Sequence, residues 1–422
     1  MSVVDDLLEN VHIPPMAPVR QKFPCSRVED VEGEVVRLLA AKNILASINS
    51  GDSVAITAGS RGIANLPLVI RTVVRAVRAV KGEPFIFPAM GSHGGASAEG
   101  QVKLLAGLGI TEESVEAPIR SSMETALLGH TDDGVECHLD AYADKADAII
   151  LINRIKPHTS FRGEVESGLQ KMITIGMGKQ KGAENCHKDG FSSVINNVPA
   201  IAKVILTKKN ILCGVALLEN SLHETAVVDV LTAEEILTKE PELLKQAWGL
   251  LPQLYCTELD VLVMDELGKD ISGTGFDTNV VGRYATDQAS GGPNISRVVA
   301  LSLTAKTKGN GHGVGMLDCI TTRVFDAFDM EQSYPNALTT TTMINAKLPM
   351  ALANDKQAIQ AAIKTCTPPD SKALRIIRIK NTLELETVLV SEALLPYCEK
   401  HPNLEVLGPA EALVFDANGN LF

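Results

Sequence analysis

Proton transfer near neutral pH calls for imidazoles, and this sequence sets two of them in matching surroundings. His93 lies in Gly91-Ser92-His93-Gly94-Gly95, just after the apolar run Phe85-Ile86-Phe87, and His158 follows Lys156-Pro157 after the apolar run Ala148–Ile152. A lone histidine is as readily a structural hydrogen-bonding residue. Two at the same end of one parallel sheet could serve as acid and base on a common substrate, because an imidazole titrates near working pH. Arg61, in Gly59-Ser60-Arg61-Gly62, also follows a strand-like run. Its guanidinium suits a carboxylate or phosphate, although a solvated turn arginine is the plainer reading.

The stretch from Arg154 to His187 holds the rest. Lys171 stands between Gln170 and the apolar Met172-Ile173, a context that predicts partial burial and a lowered pKa, and a buried amine can act as a nucleophile. Lys156, Lys179, Lys181 and Lys188 read as solvent-facing or phosphate-neutralising. Gly176, Gly178 and Gly182 would let backbone approach an anion, but their spacing is neither a dinucleotide fingerprint nor a phosphate-binding loop. Cys186-His187 is not a chelate spacing, and the sequence has no H-x-x-x-H or C-x-x-C. His187 could still be one ligand of a metal whose other ligands are not protein atoms. Farther on, Lys269 in Glu266-Leu267-Gly268-Lys269-Asp270 follows another strand-like run and suits an anion across a domain cleft; an exposed loop lysine is its plainer reading.

These residues need a frame, and the chain offers one. Ser53–Thr57 reads as a strand, Asn65 as an N-cap with Pro67 in the first turn, and Leu66, Val69, Ile70, Val73, Val74, Val77 and Val80 as one helical stripe. Phe85–Phe87, a helix capped by Ser97 and the strand at 147–153 continue the order of strand, glycine-rich turn and helix. That order predicts βαβ units and a parallel sheet, whose carboxyl edge gathers the ligand-binding loops. A fresh strand at Leu259–Met264 opens a second region. The expected fold is α/β: two α/β domains with a cleft between them, mainly parallel in the N-terminal one. The expected division is 1–255 for the N-terminal domain, 256–405 for a C-terminal domain, and a 406–422 tail returning to the first through the strand-like run Ala412–Phe415.

Composition narrows the partners. With 422 residues, 45% hydrophobic and 4% aromatic, the chain suits two aliphatic α/β cores. Its net charge of −12 argues against nucleic acid and anionic membrane as general partners, so a small anion would need a local basic site. No run approaches the roughly 18 apolar residues of a membrane span, and the acidic N-terminal segment is unlike a secretion signal. Eight scattered cysteines fit a reducing, cytoplasmic setting. Homo-oligomerisation stays open.

Taken in order, S-R-G, G-S-H-G-G, K-P-H, G-L-Q-K and E-N-C-H resemble the lactate racemase family of nickel-dependent 2-hydroxyacid racemases and epimerases. The similarity runs over roughly residues 50–195 and, more loosely, Asp265–Gly275, with 65 positions from His93 to His158 and 16 from Lys171 to His187. The resemblance implies a nickel-pincer nucleotide, a pyridinium-3,5-bisthiocarboxylic acid mononucleotide carrying nickel. By the same resemblance Lys171 would tether it covalently and His187 would ligate the nickel. His93 and His158 would be acid and base, Arg61 would hold the substrate carboxylate, and Lys269 would match a second-domain lysine. Two departures, a longer run between His158 and Lys171 and Ala58 where the family commonly has Asp, point to a divergent member acting on a 2-hydroxyacid other than lactate. The residues alone leave two alternatives: a metal-dependent hydrolase or lyase using His93 and His158, and a non-enzymatic cofactor-binding protein.

Overall fold

The structure is a computed structural model that describes residues 3–188, 190–366 and 373–422. Its strands, in chain order, are β1 (Met16–Gln21), β2 (Ser53–Ala58), β3 (Glu83–Pro88), β4 (Thr125–His130) and β5 (Glu136–Asp140). They continue as β6 (Ala148–Arg154), β7 (Ile211–Glu219), β8 (Thr225–Thr232), β9 (Glu258–Leu267) and β10 (Asn294–Leu303). The last five are β11 (Cys319–Thr321), β12 (Met350–Leu352), β13 (Ile376–Ile379), β14 (Thr387–Ser391) and β15 (Leu404–Val406). The fold is mixed α/β, and the chain forms two compact units: one of Pro24–Leu251, the other joining the residues up to Phe23 with Pro252–Phe422.

The first unit is built on a sheet ordered β3-β2-β6-β7-β8. Its first four strands run parallel and β8 returns antiparallel to β7. Side chains alternate across the strands and both faces are covered. Ile56, Ile86 and Ile150 pack on Val69, Val73 and Val77 of helix Leu66–Ala79. Phe85, Phe87 and Leu151 pack on Val194 and Val198 of helix Phe191–Lys208 and on Ile236 and Leu243 of helix Ala233–Leu250. The S-R-G, G-S-H-G-G and K-P-H turns therefore leave the carboxyl ends of three adjacent parallel strands. One local expectation fails: Asn65 does not cap its helix. It adopts left-handed backbone (φ 60) with no side-chain cap, and its amide donates to the Thr225 hydroxyl at 3.0 Å.

The other unit carries an eight-stranded sheet ordered β12-β11-β10-β9-β13-β14-β1-β15. It is parallel from β12 through β13 and antiparallel beyond. The expected division is thus corrected at both chain ends. Residues before Pro24 do not belong with the first unit, because β1 is hydrogen-bonded between β14 and β15. The tail also stays with this unit. Ala412–Phe415 is not a strand: only Glu411 bridges, to Met16, and Val414 is 85% exposed. No described helix is long and apolar enough to cross a membrane.

Candidate active site

Lys171 and His187 belong to one interrupted helix. An α-helical turn at Leu169–Lys171 passes into a π-helix at Met172–Gly176, and an α-helix resumes at Lys179–His187. Sixteen residues of straight helix would separate the two by about 24 Å. The helix breaks instead at Lys179, which is left-handed (φ 56). A β-carbon on Gly178 would stand 2.5 Å from the Thr174 carbonyl oxygen, and one on Gly182 2.9 Å from the same oxygen. These glycines let the second arm pack against the π turn. Gly176 is likewise required by packing, since its β-carbon would meet the Ala89 carbonyl oxygen at 2.8 Å. Gly176 and Gly178 were expected to open backbone to a ligand; at the side-chain position each is met by protein.

Lys179 is not the solvent-facing residue that the lysine-rich sequence suggests. It is fully buried, as is Asp140, and its ammonium lies 3.1 Å from the Asp140 carboxylate. It also donates to the Pro88 carbonyl at 2.5 Å and to Gln101 Oε1 at 3.0 Å. Gln101 passes the connection on, its amide donating to the carbonyls of Gly91 (2.9 Å) and His93 (3.2 Å). The Gly91 N–H donates to the Gly176 carbonyl at 3.2 Å. The break in the Lys171–His187 helix and the loop carrying His93 are thus fastened to each other. His93 itself is exposed, and its Nδ1 lies 2.5 Å from the Ser60 hydroxyl, next to Arg61.

Two phenylalanines organise the remaining candidates. Phe161 and Phe191 lie 6.2 Å apart. The His158 ring is 4.4 Å from Phe161 and 6.2 Å from Phe191. The Lys171 ammonium is 5.5 Å from the Phe161 ring, and His187 meets Phe191 edge-on at 5.8 Å. Arg61 reaches solvent although surrounding protein crowds its guanidinium; that crowding and the nearby Arg154 both oppose its charge, which an arginine nevertheless keeps. Arg61 in turn bears on Lys171. His158, Lys171, His187 and Arg61 therefore form one electrostatic neighbourhood.

Their proton states follow from surroundings and partners. Burial holds the Lys171 amine down to about 8, with Arg61 acting the same way and Cys186 and Glu166 opposing. Burial holds His158 well below the ordinary imidazole value, and the charges of Lys171, His187, Lys156 and Arg162 add to it. The Ser160 N–H donates to His158 Nδ1 at 3.1 Å, so the neutral ring carries its proton on Nε2. His187 is the converse. Its Nδ1 pairs with the Ala183 carbonyl at 2.8 Å, so Nδ1 holds the proton and Nε2 presents a lone pair, the arrangement of a histidine oriented for a metal. Burial lowers its pKa, against the pull of the Ala183 bond. Cys186 is no thiolate, because burial pushes it up to about 12.

Two buried carboxylates brace this arrangement, and sequence reasoning missed both. Glu166 accepts from the His158 N–H at 2.5 Å and closes the loop that Lys156 and Ser167 pin by paired backbone bonds of 2.8 and 3.2 Å. Glu240 accepts from the N–H groups of Gln170, at 3.0 Å, and Leu169, at the head of the helix that carries Lys171. Gly168 has no side chain where Glu240 Oε1 stands 1.9 Å from the β-carbon position. Burial pushes Glu240 up to about 7. Glu166 is one of two acidic residues, with Glu164, in a loop rich in basic ones, and the sequence does not say which of them turns inward; Glu240 lies 70 positions from Gln170 and leaves no local trace.

Lys269 sits in the other unit, where its ammonium donates to Asn336 and its N–H to the Thr307 hydroxyl at 3.0 Å. Among the described residues, no group of three or more His, Cys, Asp or Glu is arranged to hold a metal ion.

No protein-family model and no curated protein sequence matches the chain. Among solved structures it is similar to the lactate racemase apoprotein from Thermoanaerobacterium thermosaccharolyticum, at 13% identity and a TM-score of 0.48, with 87% of this chain and 99% of that one covered. It is also similar to a protein from Thermotoga maritima, at 14% identity and a TM-score of 0.47, with 64% of this chain and 70% of that one covered.

Proposed function

We infer that the chain is a racemase or epimerase of a 2-hydroxyacid that works with a nickel-pincer nucleotide. One observation carries this reading. An amine lowered to about 8 and an imidazole with its Nε2 lone pair turned out stand on the two arms of one broken helix, around the same aromatic pair as His158. A covalently held, metal-bearing group needs that donor set: a nucleophilic nitrogen for the tether and an oriented imidazole for the metal.

The C2 hydrogen of a hydroxyacid carboxylate is a poor acid, and the cofactor, when bound, supplies an electron-poor centre to which that hydrogen passes with its electron pair. Lys171 would hold the group covalently and His187 Nε2 would ligate the nickel. His93 would exchange the proton of the substrate hydroxyl, with Ser60 against its other nitrogen, while His158, whose neutral ring already carries its proton on Nε2, would donate a hydrogen bond from there to the substrate oxygen. Arg61 would hold the substrate carboxylate. The rings of Phe161 and Phe191 would keep water from the reacting carbon.

The test is an intact-protein mass, with nickel content, after co-expression with the enzymes that make the cofactor. A covalent adduct lost in Lys171→Ala, with about one nickel per chain that His187→Ala loses while keeping the adduct, supports the reading. An unmodified, nickel-free chain sinks it and returns His93 and His158 to the metal-dependent hydrolase or lyase alternative.

A further inference from the structure

Helix Met330–Thr339, in the unit that holds β9, is seated with its polar side inward. Ser333 is fully buried and its hydroxyl accepts from the Gly311 N–H at 3.0 Å. Asn336 accepts from Lys269 and, at 2.9 Å, from Asn310. The Gln332 carbonyl accepts from Asn310 at 2.7 Å. The apolar stripe, Met330, Tyr334 and Leu338 at four-residue spacing, stays outside with exposures of 58, 43 and 68%. That is the reverse of the usual amphipathic order. Met343, in the next turn, and Phe325 and Met350 in neighbouring elements add exposures of 62, 47 and 60%. Their turn closes onto the helix through the Thr342 N–H, which donates to Ala337 at 3.0 Å, while Met350 begins the outermost strand of the eight-stranded sheet.

We propose that this face is the two-fold interface of a homodimer, with helix 330–339 packing antiparallel on its copy. The six side chains together expose roughly 600 Å², the top of the range for a monomer's largest apolar patch and about three quarters of the ~800 Å² per partner of a standard interface. A stripe at four-residue spacing is complementary to itself about a two-fold axis through Tyr334. Charge fits the same occupant. Exposed charges of both signs rim the face, with Asp326, Asp329 and Glu331 at the helix start, Lys306 and Lys308 beside Gly309, whose carbonyl accepts from the Asp329 N–H, and Lys347 beyond the helix end, so a second copy can meet carboxylates with lysines.

The test is light scattering and sedimentation of the full chain across micromolar concentrations, beside Tyr334→Glu and Leu338→Glu. Both positions are solvent-exposed, so unchanged Tm and circular dichroism should report an intact fold. Twice the chain mass for the parent, with at least a ten-fold weaker dimer in each variant, is the expected result. Tyr334→Cys should cross-link to its own copy on mild oxidation. A parent chain that stays monomeric throughout, or a dimer indifferent to both substitutions, overturns the proposal. A monomer that sediments with anionic vesicles does so in favour of a lipid surface.

Discussion

The Lys179 ammonium and the Asp140 carboxylate face each other at 3.1 Å with neither side chain reaching solvent. Burial pushes each toward its neutral form and the partner's charge pulls it back. Removing one partner strands the other, so Lys179→Met should cost about 3–5 kcal/mol in urea unfolding. Adding Asp140→Leu should restore part of that loss. A double variant no more stable than Lys179→Met would show that the pair is not what holds the helix break.

His158 should remain neutral, with its proton on Nε2, through the range in which an ordinary imidazole titrates. Burial first, and then the neighbouring basic groups Lys171, His187, Lys156 and Arg162, hold its pKa down, and protonation at Nδ1 would turn that nitrogen against the Ser160 N–H. Two-bond ¹⁵N–¹H spectra of histidine-labelled protein read both features directly. A ring with its proton on Nδ1, or one that titrates in the ordinary range, contradicts the assignment.

Lys171 should be the most reactive lysine in the folded chain near pH 8. An ordinary lysine is under 1% neutral there, whereas an amine held at about 8 is half neutral. Brief reductive methylation, followed by peptide mass mapping, should modify Lys171 first, with a rate that levels off above pH 9. Uniform labelling of exposed lysines with Lys171 protected would count against the lowered value.

Glu240 makes stability fall as pH rises. Its folded pKa, about 7, lies above the ordinary carboxyl value of 4.5, so between those values the folded chain binds more protons than the unfolded one. The sign of linkage is then negative: stability is fullest below about pH 4.5 and declines until the folded pKa has been passed, by up to about 3 kcal/mol. Glu240→Gln keeps an acceptor for the Leu169 and Gln170 N–H groups and should flatten this slope between pH 5 and 7 in denaturant titrations. A slope unchanged in the variant would place its source elsewhere.

Strand and turn order was legible because each βαβ unit writes its period locally, and His93, His158, Lys171 and His187 could be singled out because glycine-rich turns follow apolar runs. What escaped was non-local. Lys179 sits among lysines that do face water, and only Asp140, on a strand 39 positions earlier, distinguishes it. The allegiance of β1 was invisible for the same reason: strand propensity does not say which sheet a strand joins. Ala412–Phe415 has strand-like residues, but β1 pairs with β14 on one edge, and on the other with β15 over Val19–Gln21 and with Glu411 at Met16, so the pairing stops before Ala412.

The interrupted helix also implies an order of events when the chain folds. Lys171 and His187 are joined by 16 residues, whereas the bond that fastens the His93 loop to the π-helix, Gly91 to Gly176, closes a span of 85. Closing the longer loop costs about 1.5 kcal/mol more in chain entropy, and distant contacts form late. The amine and the imidazole therefore come together first, and the His93 side arrives only once β2, β3 and β6 have paired. A nascent chain would hold the Lys171 and His187 nitrogens in one neighbourhood before the His93 loop was fastened beside them.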